Sequence, residues 1–187
     1  MCAIWRGSPP ADIAETGPTR APLQADPTDD ANTGELGPVV AAGRVRLKAP
    51  ETWRRQPPRS QFVLADFALP KADGHDQDGR LTVSVAGGSI DANLQRWRDQ
   101  FSGGVKQGDV KEIEVGDVKL SVLDLSGTYN DQPGPFAPGV EREGYRLLAA
   151  IAPVDGQLHF IKAYGPAKTM AAHEQAFFAF LRTLEVQ

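Results

Sequence analysis

A few short stretches of this chain carry residue types and spacings that could do chemistry. The first is "GGSIDANLQRWRDQF", residues 87 to 101, where two glycines and a serine stand ahead of a helical apolar stripe. Free backbone N–H groups and the helix dipole favour anions at such a point, which makes Gly88 and Ser89 candidate anion or ligand contacts. The same residues also make a turn and a cap. Ile90, Leu94, Trp97 and Phe101 fall on one stripe of a helix of about three turns. Ser89 suits the N-cap, Asp91 the positive end of the dipole, and Gly103-Gly104 the stop. Stripe and caps account for these residues without a ligand, so an anion role is the narrower alternative.

Lys162 is the third candidate contact. In "LHFIKAYG" it shares a strand face with Leu158, Phe160 and Tyr164, so its cation can sit among aromatics, with a lowered pKa or a cation–π role. The alternative is a stem laid along apolar surface with the amine in water. Trp53 and Trp97, each in an apolar helical context, read as core anchors rather than ligand platforms.

Other constellations fail their chemical tests. "DGHDQDG" offers Asp73, His75, Asp76 and Asp78 as hard ligands, but with Gly79 at the glycine place of a calcium loop, Gly74 and Val85 fall where carboxylates are required. A solvated acidic hairpin loop is expected there, and no metal residue is assigned. No Gly-x-Ser-x-Gly elbow occurs, and the three histidines lie in a loop, a strand and a helix without partner spacing. Neither the phosphate-binding loop nor the dinucleotide fingerprint is present. No catalytic residue and no cofactor are therefore assigned. The basic run Arg44, Arg46, Lys48, Arg54, Arg55 and Arg59 contains one acid, Glu51, and suits either an acidic partner or anionic headgroups, or simply a solvated sheet edge.

The elements that must position these residues are set by composition and period. A chain of 187 residues suits one domain with a proper core. A net charge of −4 argues against a nucleic-acid partner, and no apolar run is long enough to span a membrane. Cys2 is the single cysteine, so no intrachain disulfide can form. Its place ahead of a Pro-, Asp- and Thr-rich stretch suggests the mature end of a bacterial lipoprotein, with Cys2 the candidate lipidation site. Residues 1–43, with six prolines and no sustained apolar period, read as a disordered tether, and residues 44–187 as a single domain.

Within that domain, "RVRLKAP" reads as a strand, "PETWRRQPP" as a short turn or helix, and "SQFVLADFALP" and "RLTVSVAG" as a strand pair. After the Ser89 helix come two short strands around Gly116-Asp117, with a bulge expected where the apolar phase slips at Val122-Leu123. Residues 130–144 read as a long Pro/Gly loop. "YRLLAAIAPVDGQLHFIKAYGP" is a hairpin turning at Asp155-Gly156, its first strand apolar on both faces, and Lys168 to Leu184 is a closing helix. The fold class is α+β: a mainly antiparallel sheet of about six to seven strands flanked by helices, in an α/β/α layered sandwich.

"GGSIDANLQRWRDQF", the "SGTYN" strand end, "GYRLLAAIAPVDGQLHFIKAYGPAKTM" and the closing amphipathic helix together resemble a group of uncharacterised bacterial proteins of planctomycete type, often predicted lipoproteins. The resemblance runs from about Arg44 to the C-terminus. That group looks similar in fold to the extrinsic P subunit of photosystem II and to the Ran-binding Mog protein, both of which act by binding a protein partner. What the resemblance implies is a non-enzymatic binding or accessory domain, extracytoplasmic and anchored at the membrane surface through Cys2, with a protein partner or ligand. Neither relative's partner-binding residues can be placed here by motif. Two alternatives stand beside it: an enzyme with its site near Gly88, Ser89 and Lys162, and a cytoplasmic adaptor for a nucleotide-binding protein.

Overall fold

The computed structural model describes residues 36–74, 76–102, 108, 110–132 and 138–187. In chain order it holds strands β1 (Leu36–Ala42), β2 (Val45–Pro50), β3 (Arg54–Gln56), β4 (Val63–Leu69) and β5 (Gly79–Ala86), then helix α1 (Ile90–Arg98). Strands β6 (Phe101–Ser102), β7 (Val110–Val115), β8 (Val118–Asp131), β9 (Val140–Val154) and β10 (Gln157–Pro166) follow. Helices α2 (Ala167–Ala172) and α3 (Glu174–Arg182) and the short strand β11 (Glu185–Val186) close the chain.

Every pairing between these strands is antiparallel. The larger sheet has eight strands in the order β3-β4-β5-β10-β9-β8-β6, with β7 also on β8, and a three-stranded sheet runs β1-β2-β11. The strand count of the larger sheet is thus one above the expected range. The turns that join neighbouring strands are set by local chemistry. Asp155 and Gly156 both take positive φ, +50° and +75°, which matches the right-handed twist of the flanking strands β9 and β10. At the other end of β10 the backbones of two strands nearly touch: a Cβ on Gly165 would lie 2.8 Å from Gly79 Cα, so only glycine fits.

Side-chain alternation divides the apolar residues of the larger sheet between two clusters, one on each face. Leu81, Val83, Leu120, Val122, Leu148, Ala150, Ile161 and Ala163 meet β1, β2, Trp53 and the α2–α3 pair. Leu123, Leu125, Leu147, Ala149, Ile151, Leu158 and Phe160 meet Leu94 and Trp97 of α1 and Phe101 of β6. Full burial of Leu47, Phe67, Phe177 and Phe180 contributes roughly 1.5–3 kcal/mol for each side chain, so the first cluster carries much of the stability. The coverings of the two faces are unequal: a helix pair with a second sheet on one, a single nine-residue helix on the other.

Several elements depart from expectation. Strand structure is already present ahead of Arg44, inside the expected tether: "LGPVVAA" pairs with β2, and Val40 and Ala42 are fully buried, despite Pro38 and Gly37. The remainder of the expected tether, with Cys2, lies outside the described residues. "RRQ" after Trp53 is an edge strand on β4, not helix. No bulge interrupts β8 at Val122-Leu123: Leu120 and Val122 face one cluster and Leu123 and Leu125 the other, so the phase change is plain alternation in a strand buried on both faces. The irregularity lies instead between Gly127 and Tyr129. The expected 130–144 loop is shorter, because Asn130 pairs with Glu141 and Asp131 with Val140, leaving a long β8–β9 arm.

Both helices also differ in detail. Phe101 is not on α1 but on β6, opposite Tyr129, and Gly103-Gly104 lies outside the described residues. The closing helix breaks at His173, which takes φ −100° and ψ 2°. Its ring is fixed from two sides: Nδ1 accepts from Trp53 Nε1 at 3.2 Å, and Nε2 donates to the Pro70 carbonyl at 2.8 Å. That lock ties the α2–α3 joint to the start of the edge strand.

Candidate functional site

The sequence candidates do not converge. Gly88 takes φ +98° and Ser89 caps α1, its Oγ accepting from the Ala92 N–H at 3.2 Å. Asn93 Nδ2 donates to the carbonyls of Ser89 at 2.8 Å and Gly87 at 3.3 Å, which fixes the turn from within. These contacts make the segment a capped scaffold. Lys162 lies elsewhere. In the ladder Ala86 pairs with Leu158, whereas Lys162 pairs with Thr82, four residues further along, or about 13 Å at the strand rise. Lys162 is therefore served by the other end of α1, through Gln100, and a joint site of Gly88, Ser89 and Lys162 is not what the fold builds.

Of the two readings of Lys162, the structure takes the aromatic one. Its amine donates to Gln100 Oε1 at 2.7 Å and to the Tyr129 hydroxyl at 3.4 Å, and lies 5.3 Å from the ring centroids of both Tyr129 and Tyr164. The rings hold one another: Tyr129 meets Tyr164 at 5.2 Å and stacks on Tyr145 at 6.1 Å. Burial pushes the amine's pKa down to about 7, with the Arg96 and Arg80 charges acting in the same direction and Asp131 opposing them. Burial likewise pushes the Tyr129 and Tyr164 hydroxyls up, so both stay protonated donors at neutral pH.

A cleft of about 570 Å³ opens beside the amine. Its floor comes from β5 and β10, through Arg80, Thr82, Lys162 and Tyr164. The β8–β9 arm supplies one wall with Tyr129, Asp131, Val140 and Arg142, and the turn before β4 and that strand's first residue supply the other with Arg59, Ser60 and Val63. Arg80 is already engaged. Its Nε and Nη2 bind the Asp66 carboxylate at 3.0 and 2.6 Å, and its Nη1 donates to the Tyr164 hydroxyl at 2.9 Å. Burial opposes ionisation of Arg80, but the bonds to Asp66 and Tyr164 outweigh it and hold the guanidinium charged. Asp66 has no exposed surface, so this pair fixes Tyr164 without adding net charge.

Of the cleft residues, the sequence points to Lys162 and, within the basic run, to Arg59. Arg80, which opens the alternating run "RLTVSVAG", lines the cleft under the arm. Asp66, an acid inside the apolar run "VLADFAL", was the available signal that this strand buries a charge pair. Gln100, Tyr129 and Arg142 come from distant segments and carry no local signal. The basic run is dispersed rather than gathered: Arg44 pairs with Asp155, Lys48 with Glu185, Arg54 with Asp78, and Arg55 lies over Phe67. Arg59 alone of that run reaches the cleft. In the hairpin loop tested for calcium, Asp78 also accepts from the Lys71 N–H, so it closes the loop structurally. Trp53 and Trp97 are core anchors, edge-on to Phe180 and Phe160 respectively.

An antiparallel sheet with a short capped helix on one face and a terminal helix pair on the other defines the class of domain, and its fold is PsbP-like. No family model matches the chain, and no curated protein matches its sequence. Among solved structures, the solution structure of cyanobacterial PsbP (CyanoP) from Synechocystis sp. PCC 6803 is similar with a TM-score of 0.50, at 12% identity over 77% of this chain and 87% of that one. The crystal structure of the protein of unknown function PA94 from Pseudomonas aeruginosa also gives a TM-score of 0.50, at 15% identity over 82% of this chain and 99% of that one. At these identities the likeness is one of fold.

Proposed function

We propose that this chain is a non-enzymatic binding domain of the bacterial cell envelope, tethered by a lipidated Cys2, that engages a partner or ligand through the Lys162 cleft. The observation that carries it is the enclosed Lys162 amine, which has no carboxylate within ion-pair distance among the described residues and borders an open cleft. A partly buried cation without a counter-charge is costly to the fold alone, and a bound anionic group offsets that cost. The PsbP-like fold supports a binding role by analogy, which is a weak warrant by itself. The anchored location rests on Cys2 and the Pro- and Asp-rich stretch that follows it.

Two measurements test the proposal. Pull-down from the native host with the tagged full-length protein is expected to retain a companion that Lys162→Met loses while the variant stays folded. Equal recovery by both forms would remove the cleft from the function. Fatty-acid labelling of Cys2, blocked by globomycin, is expected for the anchor, and an unacylated cytoplasmic product would overturn the envelope location.

A further inference from the structure

We propose that the Lys162 cleft is a binding site for a small organic anion of one or two negative charges, a carboxylate or a phosphate ester, held between the Lys162 amine and the Arg59 guanidinium. This rests on the binding role proposed above and names its ligand.

The charge balance of the cleft singles out these two groups. Arg80 is neutralised by Asp66, and three of its five N–H donors are taken, two by Asp66 and one by Tyr164. Arg142 faces Asp131 at 3.6 Å, so that pair adds no net charge either. Lys162 and Arg59 have no carboxylate within ion-pair distance among the described residues, which leaves a surplus of two positive charges at full ionisation. Gln100 and Tyr129 take two of the three ammonium hydrogens of Lys162. The third remains for a ligand, as does the hydroxyl hydrogen of Tyr129, since that oxygen accepts from Lys162.

Size and lining argue for an organic anion rather than a bare ion. The volume of about 570 Å³ lies within the ~300–1,000 Å³ typical of small-molecule sites, and a lone inorganic ion would leave most of it to water. Val63 and Val140 supply apolar wall for a carbon skeleton, while Ser60, whose oxygen accepts from the Phe62 N–H, keeps a hydroxyl hydrogen to donate.

Binding must also move a proton. Partial burial lowers the pKa of the Lys162 amine to about 7, with Arg96 of α1 and Arg80 of β5 acting in the same direction and Asp131 of β8 raising it. Tyr129 presents its hydroxyl and Tyr164 its ring, and Arg142 of β9 pairs with Asp131. An anion at the amine supplies the missing counter-charge and drives full protonation. Uptake should therefore be a fraction of a proton per ligand near pH 7 and larger at pH 8.

The test is titration calorimetry of the full chain with succinate, glycerol phosphate and inorganic phosphate, each in two buffers of different ionisation enthalpy. The expected result is that succinate or glycerol phosphate binds with the stated proton uptake. Lys162→Met should bind at least about tenfold more weakly and without uptake. Arg59→Ala should weaken binding but keep the uptake. A thermal melt of Lys162→Met at or above the parent's separates lost binding from lost folding. Binding without proton uptake, equal affinity in Lys162→Met, or response to inorganic phosphate alone would overturn the assignment. If neither organic anion binds while pull-down still depends on Lys162, the anion assignment falls and the general binding role stands.

Discussion

Asp66 and Lys162 lie on β4 and β10, the two strands that flank β5, and meet opposite fates. Asp66 is wholly buried but finds a two-point partner in Arg80, whereas Lys162 is enclosed among tyrosines and an amide with no acid at hand. The first arrangement is closed and structural, and the second is open. Removing one member of a buried pair leaves an uncompensated charge, so Arg80→Ala should lower the unfolding free energy by about 3–5 kcal/mol in urea denaturation. A loss under about 1 kcal/mol would mean that Asp66 is not held as described. Lys162→Met removes a poorly compensated, partly buried cation and keeps a side chain of similar length, so no loss of stability is expected from it near pH 7.

At the level of elements, α1 serves as a cap over one face of the sheet and carries Gln100 just beyond its end. Ser89→Ala deletes the N-cap bond to Ala92 and should cost about 1 kcal/mol of stability in urea denaturation, while leaving anion affinity at Lys162 unchanged. A drop in affinity with stability intact would instead make the glycine-serine segment a ligand contact. The opening of α1 was legible because its determinants are local: a capping serine, an acid in the first turn, and Leu94 and Trp97 at helical spacing. The Asp155-Gly156 turn was legible for the same reason. What escaped was set at a distance. "LGPVVAA" becomes a strand because β2 pairs with it, which no period within seven residues reveals. Val122-Leu123 suggested a bulge because a one-sided strand was assumed, and burial on both faces depends on what lies above and below the sheet. Phe101 continued the helical stripe in sequence, yet its backbone is taken by Tyr129 of β8. The site follows the same division: Lys162's aromatic neighbour Tyr164 shares its strand, whereas Gln100, Tyr129 and Arg59 arrive only through topology.

For the whole molecule, Lys162 couples the cleft to stability through pH. Its pKa is about 7 in the folded chain against an ordinary 10.5. Below about pH 7 both states carry the proton and the cost of burying the charge is fully present. Between these values the unfolded chain binds more protons, so stability rises with pH, at most by about 1.4 kcal/mol per unit from this group. The advantage of Lys162→Met over the parent in urea should accordingly shrink between about pH 7 and 10. Parallel profiles for the two proteins would place the amine in water.

The most direct measurement is the NMR titration of the Lys162 ε-methylene, with and without succinate. The predicted midpoint for the free protein is near 7, moving upward when succinate is added. A midpoint near 10.5 that succinate leaves in place would contradict both the enclosed amine and the cleft as an anion site.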